Sequence, residues 1–313
     1  MLPNFGTILK GWSRVWGNEY HVIFSAKLKN MISTETRSAA SIVGIEKTIE
    51  LIAKAGFDAF DLSLLSMVKY DWQQKVALPS DDPFAGKDYL AHARKLKQIA
   101  RDNGIVCNQS HAPYPSYCKE IRDSFYRAIE ITAEVGGEIC VIHPDNFKSV
   151  EENAELYFPL LDFAKQHNVK IAAENMWTWV RGKGTVPAAC SDGKDFLAHL
   201  RAVNDDFLVA CLDIGHAEMT GLNTSACTMI DELGDHLKCI HLHDNDFLND
   251  SHQIPFSMKI DLESVAKALH RNNYGGYITL EAVSYLKDFQ PCDVEKGLCD
   301  LAMSAKRFEA MMR

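Results

Sequence analysis

Six segments of the sequence end on side chains able to bind a divalent metal: His111 in SHAPY, His143 in IHPDN, Glu174 in AENMW, Asp213 and His216 in LDIGH, His241 and His243 in HLHD, and Glu281 in LEAV. All are imidazoles or carboxylates and none is a thiolate, a donor set that suits Mn, Co, Zn or Mg. Singly, each is weak. A lone histidine at the end of a strand is more often a hydrogen-bonded structural residue, and a lone Asp or Glu often caps the helix that follows. Together at one mouth of a barrel they would leave several ionisable groups desolvated, at a cost of several kcal/mol unless ion pairs or a cation offset it. A bound cation is the simpler account.

The elements that must position these groups follow from the alternation around them. From about residue 44 onward, short β-rich runs alternate with amphipathic segments of helix length, the mark of a parallel sheet. The strands expected are FDAFDL (57–62), IVCNQS (105–110), EICVIH (138–143), KIAAE (170–174), FLVACLD (207–213), KCIHLH (238–243) and YITLE (277–281). Segments such as IEKTIELIAKAGF, YLAHARKLKQIARDNG, ELYFPLLDFAKQHN and LESVAKALHRNNYGG have apolar residues at helical spacing and Gly or Asn at their ends. An eighth strand must precede the helix at Ile45, and by elimination it falls in MISTETRSAAS (31–41), a poor strand sequence. The expectation is an α/β protein: a single (β/α)8 barrel over residues 31–313, with an N-terminal extension over 1–30. The aromatics Phe5, Trp12, Trp16 and Tyr20 suggest that the extension packs on the barrel or on a second copy in a homo-oligomer. Chemistry in such a barrel collects where the strands run out into the following loops, which is where the candidate ligands stand.

Length and composition agree with one large globular domain: 313 residues, 47% hydrophobic and 24% charged. Thirty-three basic against forty-two acidic side chains give a formal charge of -9, which disfavours a nucleic-acid partner. The nine cysteines are odd in number and form no CxxC, so reduced thiols packed as small hydrophobes are expected, notably Cys140, Cys211 and Cys239. No stretch approaches the roughly 18 apolar residues of a membrane span, and the first thirty residues lack a signal-peptide core. A cytoplasmic location is expected, without membrane attachment.

In order and spacing, HAPY, IHPD, AENM, LDIGHAEMTG, HLHDND, DSH and ITLE resemble the xylose isomerase-like TIM barrel superfamily, which includes sugar and sugar phosphate isomerases and epimerases and the endonuclease IV type. The likeness runs over roughly residues 44–285. The isomerase and epimerase members imply a metal held by Glu174, Asp213, His241 and Glu281, with Glu174 and Glu281 as the proton-transferring carboxylates. His216 matches a position that contacts substrate or a second metal, and is expected to take part in catalysis. His111, His143, His243 and Trp177 are expected near the substrate, Trp177 and Trp179 as an apolar wall. His243 is an alternative ligand, since its side chain points to the same side of the strand as that of His241. The sequence departs from the family pattern at HQIPFSMKID, which has no glycine between His252 and Asp261, so the loop there must turn differently.

What the resemblance implies is a divalent-metal-dependent isomerase or epimerase of a sugar, sugar phosphate or related polyol. Proton transfer next to a carbonyl would be its reaction, with the cation polarising the substrate oxygens. A lyase or dehydratase acting on sugars would use the same scaffold. The rival is zinc-dependent phosphodiester hydrolysis of the endonuclease IV type. That branch's nine ligands are matched in type by His111, His143, Glu174, Asp213, His216, His241, Asp250, His252 and Glu281, and Tyr114 follows His111 at the corresponding spacing; Asp250 and His252, with His216, are thus candidates for further metal. Against it stand the acidic balance and the lack of a Lys/Arg cluster near the motifs. A metal-stabilised interaction module would explain the ligands but not their placement at the catalytic end of a barrel. For a substrate phosphate, the obvious basic and glycine-rich stretch is RGKG, Arg181 to Gly184, with a solvated loop as its plainer reading.

Overall fold

The expected alternation folds into a closed ring of eight parallel strands, seen in a computed structural model that describes residues 30–313. The strands are β1 (Ile32–Glu35), β2 (Ala59–Ser63), β3 (Val106–His111), β4 (Ile139–Val141), β5 (Lys170–Glu174), β6 (Leu208–Asp213), β7 (Leu237–Leu242) and β8 (Ile278–Leu280). Neighbours pair in sequence order. The ring closes where β1 meets β8, with Ile32 opposite Ile278 and Thr34 opposite Leu280. The N-terminal extension lies outside the described residues except for Asn30, whose Nδ2 donates to the carbonyls of Tyr274 at 3.2 Å and Gly276 at 2.9 Å.

Helices such as Ile45–Ala55, Tyr89–Asp102, Val150–His167 and Leu262–Arg271 surround the ring, as their apolar spacing predicts. Local signals set their ends. Ser149 and Glu152 form a reciprocal capping box at the start of Val150–His167, and Asn168 closes it in the left-handed conformation at φ 53°. Pro159 sits inside that helix. The barrel is lined partly by small side chains, among them Val141, Ala172, Val209, Cys211 and Cys239. Cys140, Cys211 and Cys239 are buried free thiols, in keeping with a packing role.

The strand placed by elimination in 31–41 is found there as β1, but it is short: after Glu35 the chain soon turns into the helix Arg37–Val43. Two antiparallel hairpins, absent from the expected elements, stand outside the ring: Lys69–Asp71 with Val76–Leu78 after β2, and Trp177–Val180 with Gly184–Pro187 after β5. Their strands, of three or four residues each, are too short to stand out in the sequence. Among the described residues no helix is long and apolar enough to cross a membrane.

Candidate metal centre

At the C-terminal ends of the strands, the expected histidines and carboxylates converge into one continuous cluster. His111 ends β3, Glu174 ends β5, Asp213 ends β6 and His241 stands one residue from the end of β7, so the parallel register carries all four to the same mouth. The residues that follow the strands, His143, His216, His243 and Glu281, complete the arc.

Three groups can be distinguished. In the first, His143 Nε2 lies 3.0 Å from His111 Nε2 and 3.0 Å from Glu174 Oε2. In the second, His241 Nδ1 lies 3.3 Å from Glu174 Oε1 and 3.2 Å from Glu281 Oε2. In the third, Asp250 Oδ2 is 3.1 Å from His216 Nε2 and 3.2 Å from His252 Nε2, while His243 Nε2 is 3.0 Å from Asp213 Oδ1. His216 links the last two groups, its Nδ1 lying 3.8 Å from Glu174 and 4.0 Å from Asp213. Of the four ligands expected to share one cation, Glu174, His241 and Glu281 meet directly, and Asp213 joins them through His216.

Three of the histidines obey one rule. A carbonyl oxygen can only accept, so an imidazole nitrogen bonded to one carries the proton and leaves the other nitrogen bare. His111 Nδ1 bonds the carbonyl of Ala112 at 3.0 Å, His216 Nδ1 that of Asn175 at 2.9 Å and His252 Nδ1 that of Glu281 at 2.8 Å. Each then points Nε2 at a carboxylate. His241 is held from the opposite side, with Nε2 3.3 Å from Asp61 Oδ2 and Nδ1 turned to the glutamates. A bare nitrogen facing a carboxylate is repulsive unless a proton or a cation lies between them. Anchoring one nitrogen to present the other is how proteins orient metal-binding histidines. Asp250 Oδ1 and His243 Nδ1 are buried with no hydrogen-bond partner among the described residues, which fits a centre built for an additional positive charge.

The electrostatics agree. Burial would raise the Glu174 carboxyl, but the charges of His241 and His143 hold it well below the usual range. Burial works equally against an imidazolium at His216 and His241, yet Asp213 and Asp250 push the first well above the ordinary value, and Glu281 and Glu174 do so for the second. His143 goes the other way, lowered by burial.

A cavity of about 410 Å³ opens over the cluster, walled in part by His111, His143, Glu174, His216, Asp250, His252 and Glu281. Trp177 lines it as expected, but Trp179 is 62% exposed and stands off it. Asp213, His241 and His243 are wholly buried beneath the floor, which puts His243 below the expected substrate contact. The Arg181–Gly184 stretch forms the tip of the second hairpin and is not part of the cavity wall. The glycine-free loop does turn unusually: Phe247, His252 and Phe256 take positive φ of 73°, 40° and 71°, a conformation costing roughly 1–2 kcal/mol for a non-glycine residue. His252 is thus held in place by a strained backbone that the rest of the loop must maintain.

One layer deeper lie groups that the sequence did not single out. Ser33 Oγ donates to Asn108, Asn108 Nδ2 to Thr279 and to Gln109 Oε1, and Gln109 Nε2 donates to Asp61 Oδ2 at 3.0 Å while lying 3.0 Å from His241 Nε2. Glu35, at the end of β1, accepts from the Ser38 backbone at 3.1 Å and from its hydroxyl. Burial, aided by the charges of Glu281 and Asp61, raises Glu35 to about 7. An acidic residue at an inward position of a barrel strand was the available signal for Asp61.

A sequence profile described as xylose isomerase-like TIM barrel matches residues 49–298. An uncharacterised protein of Sinorhizobium fredii is 25% identical over 260 residues, which cover 74% of this chain and 78% of that one. Among solved structures, a D-tagatose 3-epimerase-like protein superposes with a TM-score of 0.65 at 18% identity, over 90% of this chain and 98% of the other. A D-allulose 3-epimerase from Methylomonas sp. does so with a TM-score of 0.65 at 17% identity, over 91% and 98%. At these identities the likeness concerns the fold.

Proposed function

The chain belongs to the xylose isomerase-like TIM barrel family, and on that footing we propose that it is a divalent-metal-dependent epimerase or isomerase of a sugar or related polyol. The observation that carries this reading is the convergence of Glu174 and Glu281 on one nitrogen of His241, at 3.3 and 3.2 Å, while both carboxylates also wall the cavity. The 3-epimerase activity named for the structural neighbours is of the same kind.

Glu174, Asp213, His241 and Glu281 would hold the cation, which when bound supplies polarisation of a carbonyl and its adjacent hydroxyl. One glutamate takes the proton from the carbon next to the carbonyl, leaving its electron pair in an enediolate. The other glutamate returns a proton to that carbon from the opposite face, for epimerisation, or to the neighbouring carbon, for isomerisation. His216 and His111, each anchored through Nδ1, are placed to orient substrate hydroxyls, and Trp177 offers an apolar face. The test is metal analysis of the purified protein with a screen of ketoses and aldoses in deuterated water. Metal-dependent deuterium incorporation next to the carbonyl is expected, with loss on chelation.

A second reading rests on one observation: all nine residues of the endonuclease IV-type ligand pattern take part in the cluster, in three groups that could each hold an ion. Phosphodiester hydrolysis would then be the activity. The charge of -9 opposes it. Incision of duplex DNA containing an abasic site, robust and salt-sensitive in the metal-loaded protein, together with no deuterium exchange on any sugar, would favour the hydrolase.

A further inference from the structure

The cavity adjoins a recess that none of the cluster carboxylates borders, and Arg37 marks that end. This exposed residue follows β1 by two positions and, among the described residues, is the sole Lys or Arg in the wall of the cavity. An adjoining recess of about 290 Å³, bordered by Leu65, Tyr70 and Trp72, shares Arg37 and Tyr114 with the main cavity, so the guanidinium stands where the two spaces join. Tyr114 connects the ends. Its ring stacks on His143 with centroids 5.0 Å apart and planes at 16°, and its hydroxyl faces Arg37. Trp72 lies beside it, ring centroids 6.1 Å apart.

Arg37 pairs with no carboxylate among the described residues. Its neighbour in the recess, Lys69, is already neutralised by Asp81 at 2.6 Å. The remaining ionisable walls are the carboxylates and imidazoles of the metal centre and the two tyrosines. Among the described residues the cavity wall therefore holds one guanidinium without a carboxylate partner as well as the acids Glu174, Asp250 and Glu281. A guanidinium in such a place matches a planar or tetrahedral oxyanion, which it binds through paired charge-assisted hydrogen bonds. The hydroxyls of a neutral sugar can accept from it, but they leave its charge unpaired.

We infer that the substrate is an anionic sugar, carrying a carboxylate or phosphate at the end remote from the reacting carbonyl, and that Arg37 receives that group between Tyr114 and Trp72. The inference rests on the epimerase or isomerase reading and deepens it. Attraction to the guanidinium holds the anion at the Arg37 end, which directs the reacting carbons toward the glutamates. One residue thus sets both the substrate class and its orientation.

The experiment is calorimetric binding of sorbitol, gluconate and sorbitol 6-phosphate to the metal-loaded wild type, Arg37→Gln and Arg37→Lys, with metal affinity measured on each. One of the anions is expected to bind wild type about 10- to 100-fold more tightly than sorbitol, as hydrogen bonds to a charged group allow. Which anion wins identifies the group. Arg37→Gln should abolish the preference, Arg37→Lys should restore part of it, and metal affinity should stay the same in all three. Equal affinity for all three compounds, or a preference that survives in Arg37→Gln, overturns the inference. Failure of the parent reading has a different signature, namely no deuterium exchange on any sugar whatever the binding preference.

Discussion

His241 is gripped from beneath by Asp61: imidazole Nε2 and carboxylate Oδ2 lie 3.3 Å apart in the floor of the site, both side chains almost wholly shielded from solvent. The Gln109 amide, 3.0 Å from each partner, would by itself donate to Nε2 and drive the ring proton to Nδ1. The Asp61 charge opposes this, keeping the proton on Nε2 and the Nδ1 lone pair facing Glu174 and Glu281. Asp61→Asn should therefore weaken metal binding by about 10- to 100-fold, the usual effect of losing such a supporting carboxylate. Calorimetric titration with Mn²⁺ reads it, with circular dichroism as the check on folding. An unchanged affinity would show that Asp61 does not orient His241.

Replacing Glu174 or Glu281 with Gln preserves shape but removes charge and basicity together. Turnover should fall by more than the roughly 10²- to 10⁴-fold expected for loss of a general base alone, and metal content should fall with it. His243→Ala should cost less activity, because His243 lies under the floor and is paired with Asp213. If His243→Ala loses its metal while both Gln variants stay fully active, the roles given to His241 and the two glutamates are wrong.

Gly215, in LDIGH, is needed for space. A Cβ there would stand 1.9 Å from Cε1 of His243, which is stacked against His252 with centroids 3.8 Å apart. Gly215→Ala should destabilise the fold by about 1–3 kcal/mol through overpacking. Thermal denaturation measures this, with Gly275→Ala as the control, since a Cβ at Gly275 meets nothing within 4 Å. Similar melting temperatures for the two variants would refute the steric argument.

A proton on His252 should oppose the metal, because this ring lies 4.0 Å from the proposed ligand Glu281. Burial lowers its basicity, but the hydrogen bond and charge of Asp250 outweigh that and hold it at about 9, above the ordinary 6.5. A folded-state value raised in this way stabilises the metal-free protein fully below about pH 6.5, and the contribution is lost as the pH rises through about 9. The carboxylates are depressed instead, so theirs is already complete in this window. The melting temperature of chelator-treated protein should thus drop between pH 6.5 and 9, while metal affinity climbs as bound protons are displaced. A metal affinity that is flat over that range would mean that His252 binds no proton that the metal must displace.

Much of the ring was legible because β2 to β8 are apolar runs ended by polar clusters. β1 was not, since Ile32–Glu35 is three-quarters polar and runs almost at once into the helix Arg37–Val43. The residues at the strand ends could be read from their types and the parallel register. Gln109 and Glu35 could not, because their significance comes from a second layer made by residues far apart in sequence. Arg37 escaped notice for a related reason: an arginine after a doubtful strand acquires meaning only once the neighbouring hairpin is seen to bring Trp72 beside the cavity.

The two hairpins that flank the mouth have their own hydrogen-bond ladders and contribute no strand to the ring. Each leaves and rejoins the barrel on the same rim, so exchanging one for a longer or shorter ribbon adds mainly loop-closure entropy, about 0.6 kcal/mol per doubling of length. Trp72 and Trp177 ride on these ribbons, whereas the cluster residues do not. The two tryptophans of the cavity wall are therefore carried on pieces of chain separable from the cluster. A lineage could acquire new substrates by trading ribbons while its acid–base machinery stayed untouched, and grafted hairpins offer the same route to redesign.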